Sequence, residues 1–310
     1  MADNAANRCR ITDVAPRDGL QNEDARVPTE DKFELVHRLA DAGVDEVEVT
    51  SFVSQHWVPQ LGDARHLFDM LQHEKHATVV FSALVPNDKG MTNALSVNER
   101  AGFRLLDKVS VFTAATESFT KRNVNATVDE TFERFEPVVR RARDAGLAVR
   151  GYLSCVVECP YEGAVSPERV ASLAGRLTDL GVDEVDLGDT IGRATPESVE
   201  SMLLAVFDRV PADRLVLHLH DTFGNAAAVA RRAIDLGLRS FDASAAGLGG
   251  CPFASTPGHP APGNIDTRAL LDTVEAAGLE HGVDRSMLAA AADFAHEALR
   301  RARAEDGPPA

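Results

Sequence analysis

The chain has 310 residues, with 32 Lys plus Arg against 48 Asp plus Glu and a formal net charge of −16; an acidic surface of this kind excludes gripping of nucleic acid or an anionic membrane, which needs a basic face. Contents of 44% hydrophobic and 26% charged residues exclude disorder as the main state, and no apolar run reaches the roughly 20 residues of a bilayer span. Four unevenly spaced cysteines (Cys9, Cys155, Cys159 and Cys251) exclude a disulfide scaffold; with a polar, acidic start that reads as neither a secretory nor a transit signal, the expected setting is the cytoplasm.

A first strand is predicted over 10–14. A small or apolar residue plus Gly then closes a helix-like segment five times, each followed by a short β-rich stretch. The five are Ala42-Gly43 before 44–49, Ala101-Gly102 before 108–112, Ala145-Gly146 before 148–153, Leu180-Gly181 before 182–187, and Leu236-Gly237 before 240–243. Gly just past a helix takes the left-handed conformation that ends it. Successive glycines lie 59, 44, 35 and 56 residues apart. A βα unit takes roughly 30 residues or more, so the two longest gaps each hold a further strand, at 78–84 and 214–219. Eight alternating units without a Gly/Ser linker predict an α/β fold, a TIM (β/α)8 barrel, rather than an open sheet with a second domain. One catalytic domain over 1–310 is expected, with the barrel at about 8–276, extra C-terminal helices at about 277–304 and a frayed tail at 305–310.

Chemistry in such barrels sits where the strands end, and polar clusters fall there. Strand 1 leads to Pro16-Arg17-Asp18-Gly19, strand 2 carries Glu48, strand 6 ends at Asp189, strand 7 carries His218-Leu219-His220, and strand 8 opens onto a Gly-rich loop with Cys251. Two His at i, i+2 point to one side of a strand. Two imidazoles with the oxygens of Asp18 and Asn264 suit Mg or Mn better than a closed zinc site. Arg17 beside Asp18 is either a mouth ion pair or the cation for a developing enolate. Glu48 is favoured as the partner of Arg17 over direct catalysis. Cys251 sits on a loop whose glycines read as hinges, whereas Cys155 and Cys159 read as packing residues. Thr120-Lys121-Arg122-Asn123 reads as a basic loop, equally a phosphate contact or a solvated turn.

Together these residues resemble the hydroxymethylglutaryl-CoA lyases, metal-dependent lyases on TIM barrels. The likeness rests on 14–23 (VAPRDGLQNE), 50–54 (TSFVS), 187–192 (LGDTIG), 218–224 (HLHDTFG) and 246–254 (AGLGGCPFA). It implies Mg or Mn held by Asp18, His218, His220 and Asn264, and retro-Claisen cleavage of 3-hydroxy-3-methylglutaryl-CoA to acetyl-CoA and acetoacetate, chemistry of leucine catabolism and ketone-body formation. It also implies Arg17 at the enolate oxygen, proton transfer among Cys251, Asp18 and His218, and support from Glu48 and Asp189. Asn87 and Lys121 match positions lining a coenzyme A channel. The expected partner is an acyl-CoA, in a homodimer, with no organic cofactor beyond the substrate's own coenzyme A. The sequence departs from the family in the segment Ser255–Pro262, which is longer than usual and stiffened by Pro257, Pro260 and Pro262. That departure keeps a bulkier 3-hydroxy-3-alkylglutaryl-CoA open as substrate. An acetyl-CoA/2-oxo acid carboligase is the other alternative, although such enzymes usually continue into further C-terminal segments.

Overall fold

The computed structural model describes residues 7–73, 75–249 and 263–306. Its barrel strands are β1 (Arg10–Asp13), β2 (Glu46–Ser51), β3 (Val80–Leu84), β4 (Lys108–Ala114), β5 (Ala148–Ser154), β6 (Glu184–Asp189), β7 (Leu215–Leu219) and β8 (Ser240–Ala243), with a short hairpin of Glu158–Cys159 and Gly163–Ala164 outside the barrel. The eight form a closed parallel barrel in chain order. Closure comes from β8 pairing back on β1, with Arg10 opposite Ser240 and Asp13 opposite Ala243. The helices are α1 (Thr29–Asp41), α2 (Ala64–Leu71), α3 (Asp88–Ala101), α4 (Glu117–Val124), α5 (Val128–Asp144), α6 (Pro167–Leu180), α7 (Pro196–Phe207), α8 (Ala226–Asp235), α9 (Thr267–Ala276) and α10 (Arg285–Asp306). The expected (β/α)8 barrel is the fold.

Its punctuation is also as expected. Gly43, Gly102, Gly146, Gly181 and Gly237 all have left-handed φ, between 71° and 104°. Two details differ from expectation. The segment around Lys121 is not a loop but part of α4, closed by Asn125 at φ 49°. The tail expected to fray from 305 stays helical to Asp306. α10 holds its place because Leu288, Ala291, Ala295, Leu299 and Ala302 form a buried stripe at helical spacing, and Arg301 pairs with Asp31 of α1 at 2.9 Å. Cys155 and Cys159 are buried with Ala114 and Phe119, as packing residues. Cys9 is fully buried, which pushes its thiol up to about 11.

Alternation along the strands builds two different environments. Val47, Val49, Val185, Leu187, Leu217 and Leu219 join the apolar cluster that includes Val36 and Leu39 of α1. The intervening residues point into the barrel and are polar, with Glu46, Glu48, Lys108, Arg150, Glu184, Asp186 and Asp242 among them. Lys108 Nζ lies 2.5 Å from both Glu46 and Glu184. Arg150 meets Glu184 at 2.6 Å, Asp242 at 2.9 Å, Thr12 at 3.1 Å and Glu46 at 3.2 Å. Most barrels fill this space with branched aliphatic layers. Here an ion-pair plug does so, and it underlies the mouth.

Candidate active site

Past β1 the chain makes one π-helical turn over Ala15–Gly19, closed by the Gly19 amide donating to the Val14 carbonyl at 3.1 Å. This wide turn, a form common at functional sites, sets Arg17 and Asp18 over the barrel. Arg17 Nε donates to Glu48 Oε2 at 2.5 Å and Nη1 to Asp18 Oδ1 at 2.5 Å. The ring of Tyr152 lies 5.4 Å below its guanidinium, and the Tyr152 hydroxyl donates to Glu48 at 3.1 Å. Arg17 is only 6% exposed; burial favours its neutral form, but Glu48 and Asp18 outweigh that and hold it firmly cationic. Burial pushes the Glu48 carboxyl up against the pull of Arg17.

The two imidazoles project from the end of β7. His218 Nδ1 donates to Asp242 Oδ2 at 3.2 Å, which leaves Nε2 facing Asp18 Oδ2 at 4.0 Å. Burial lowers the pKa of His218, but the Asp242 hydrogen bond and the Asp18 charge raise it further, for a net upward shift. His220 is held down to about 4 by burial and by His218. Asp18 runs the other way. Burial disfavours its charge, but Arg17, both imidazoles and the Asn264 amide hold it at about 2.

Asn264 arrives on a strap stitched across the strand ends: the Asp221 amide donates to Gly263 and the Ile265 amide to Leu219, at 2.8 and 2.9 Å. Its amide nitrogen donates to Asp18 Oδ2 and to the Leu248 carbonyl, at 2.9 and 3.0 Å. An amide NH2 nitrogen has no free lone pair for a cation, so ligation by the Asn264 oxygen requires the amide to turn. Gly249 is needed beside it: at φ 106°, a Cβ there would clash with that nitrogen.

These groups fit a divalent cation. One ligand atom each from Asp18, His218 and His220 lies within 4.8 Å of the others. Among the described residues His220 Nδ1 is buried with no hydrogen-bond partner, and an orphaned imidazole nitrogen needs a proton donor or a metal. An ionised carboxylate beside a neutral imidazole is also the protonation state metal binding demands.

The remaining expected residues lie apart. Asp189, at the end of β6, accepts from the Arg193 and Ala194 amides at 3.0 and 2.8 Å and so braces the loop behind His218. Asn87 is exposed and caps α3 through Gly90. Lys121 is exposed on α4, one residue before Arg122, whose guanidinium covers the Tyr161 ring at 4.4 Å. Cys251 and its loop fall outside the described residues.

Burial raises the Asp189 carboxyl to about 6 against its two amide donors. A folded pKa above the unfolded 3.8 means that the native state holds an extra proton between them. The stabilisation from that proton is complete below about pH 4 and is lost as pH rises through 6. The stability gap between wild type and Asp189→Asn, measured by urea unfolding, is therefore expected to shift against wild type by on the order of 3 kcal/mol from pH 4 to 7. A pH-independent gap would show that Asp189 titrates normally.

A family model described as HMGL-like matches residues 8–295. The chain belongs to the HMGL-like family. A mitochondrial hydroxymethylglutaryl-CoA lyase from Rattus norvegicus is 43% identical across 95% of this chain and 86% of its own length. A cytoplasmic 3-hydroxy-3-methylglutaryl-CoA lyase from the same organism is 40% identical across 94% and 81%. Among solved structures, the HMG-CoA lyase of Brucella melitensis superposes with a TM-score of 0.88 at 47% identity, covering 95% of this chain and 99% of that one. An HMG-CoA lyase from Acinetobacter baumannii, in complex with coenzyme A and 3-methylmalate, gives 0.86 at 30% identity with 98% of both chains covered. The resemblance drawn from the HMGL-like motifs is borne out, and the expectation of a carbon–carbon lyase of this type stands with it.

Sequence reasoning missed Tyr152, Arg150 and Asp242. All three lie at alternate, inward positions of strands whose other face is apolar, the same signal that marked the His218 and His220 pair.

Proposed function

We propose that this chain is a divalent-metal-dependent acyl-CoA lyase that cleaves 3-hydroxy-3-methylglutaryl-CoA into acetyl-CoA and acetoacetate. The observation that carries this is the convergence of Arg17, Asp18, His218, His220 and Asn264 at one strand-end mouth. The reaction moves the C3 hydroxyl proton to a base, breaks the C2–C3 bond to leave a ketone at C3, and protonates the acetyl-CoA enolate at C2. Asp18, His218, His220 and the Asn264 oxygen would hold Mg or Mn, which supplies a positive charge that acidifies the hydroxyl and polarises the acyl oxygen. Arg17, aimed by Glu48, holds the enolate oxygen. Asp18, His218 and Cys251 share the proton transfers. Asp189 keeps the β6 loop in place, and Asn87 and Lys121 face the coenzyme A moiety. In this reading the whole chain is one catalytic unit, working in the cytoplasm as a homodimer; the 40% identical cytoplasmic relative supports the setting, and the coenzyme A complex of the Acinetobacter baumannii enzyme supports the substrate class.

Acetyl-CoA release from 3-hydroxy-3-methylglutaryl-CoA is expected with Mg or Mn, to vanish on chelation with EDTA and to return on adding the metal back. Faster turnover of a 3-hydroxy-3-alkylglutaryl-CoA would reassign the acyl group. No acetyl-CoA from either thioester with either metal would overturn the proposal.

A further inference from the structure

Away from the mouth, one described cluster combines imidazoles with a carboxylate: His37 and Asp41 of α1, with His76 in the segment between α2 and β3. His37 Nε2 lies 3.4 Å from Asp41 Oδ2, and His76 Nε2 lies 3.1 Å from Asp41 Oδ1. One ligand atom from each of the three lies within 4.8 Å of the others. His37 and Asp41 share a helix face at i, i+4. Phe33 stacks on His37, with centroids 6.2 Å apart and planes 2° apart, which fixes that ring. The rings of His37 and His76 approach to 5.5 Å. Lys75 does not compete for Asp41, because its ammonium is bound to Asp107 and to the Leu105 carbonyl.

We propose that His37, Asp41 and His76 form a second metal site, for a zinc-class ion. Ligand atoms around tetrahedral zinc stand roughly 3.3 Å apart, given bonds of about 2.0–2.1 Å; each imidazole Nε2 stands near that distance from its own oxygen of Asp41, Oδ2 for His37 and Oδ1 for His76, so the carboxylate spans the two rings and an ion between them is within reach of both. Two imidazoles and a single carboxylate, without the amide oxygen that Asn264 would add at the mouth, suit zinc and its neighbours rather than Mg, which prefers oxygen. Asp41 is 35% exposed on its side chain, so solvent completes the coordination. The site lies where strands begin, since Asp41 precedes β2 by five residues and His76 precedes β3 by four. That end of a barrel serves stability. The bound ion staples the end of α1 to the segment entering β3, remote from catalysis.

Hydrogen bonding of Asp41 to two imidazoles alone would give similar contacts, and zinc stoichiometry separates the two. Equilibrium dialysis of the full chain at low micromolar free zinc should show His76→Gln and His37→Gln each binding one equivalent fewer than wild type. Zinc should also raise the Tm of wild type more than that of either variant. Activity with saturating Mg and circular dichroism should match wild type in both variants, which shows that the fold is intact. Equal zinc stoichiometry in wild type and both variants would overturn the site, whatever the lyase assay gives.

Discussion

Arg17→Met is expected to lower kcat for acetyl-CoA release by about 10²–10³, the usual cost of removing a charge-stabilising donor from an enclosed site. The guanidinium spends Nε on Glu48 and Nη1 on Asp18; among the described residues, Nη2 is left for a developing oxyanion. Two carboxylates hold the group cationic and fix its plane against Tyr152, so its orientation is set before substrate arrives. Arg17→Lys should recover little, because an ammonium cannot span both carboxylates and still present a donor in the same plane. Loss of the Arg17 charge also frees Asp18 from its strongest stabilising neighbour. Mn titration must therefore accompany the kinetics, run at metal saturation. A Met variant that keeps a third or more of wild-type kcat under those conditions would remove Arg17 from the enolate.

Much of this arrangement was legible in the chain, for identifiable reasons. Gly43 or Gly181 announces itself because only a residue without Cβ enters the left-handed region freely. Arg17 and Asp18 stood out because they directly follow a strand in a barrel, where chemistry collects. The support beneath them was harder to see. Glu46, Arg150, Glu184 and Asp242 look like ordinary surface charges of half-buried strands until closure turns their side inward. The telling feature is that in Val149-Arg150-Gly151-Tyr152-Leu153 the other face is wholly apolar or Gly and already faces the helices. The α4 helix was hidden for a different reason: its basic residues and Asn123 read as a turn, while the cap that closes it is Asn125, held left-handed. Asp41 and His76 are 35 residues apart, and no local pattern joins them.

Arg150→Met should be the most destabilising single change in the barrel interior, at about 3–5 kcal/mol, the usual cost of removing one partner from a buried ion network. Arg150 is 1% exposed and answers the charges of Glu184, Asp242 and Glu46 at once. Its presence helps hold the Glu184 carboxyl down to well below the usual range, and that of Asp242 likewise, against the burial that favours their neutral forms. Asp186 marks the limit of that compensation: buried beside Asp242, its carboxyl is pushed well up. Without the guanidinium the surviving carboxylates must take protons or admit water. Urea unfolding near neutral pH should show the loss, and adding Glu184→Gln to Arg150→Met should recover part of it, since a neutral amide needs no cation. A double variant no more stable than the single would place the cost in lost packing instead. The same change reaches the mouth, because Asp242 sets which nitrogen His218 presents to Asp18. An Asp242 no longer held ionised by Arg150 accepts less strongly from Nδ1, so Arg150→Met should bind Mn more weakly while Glu184→Gln alone leaves Mn affinity near wild type. The ion-pair plug is in this sense the floor of the site, and stability and metal affinity should fall together only when the arginine is the residue removed.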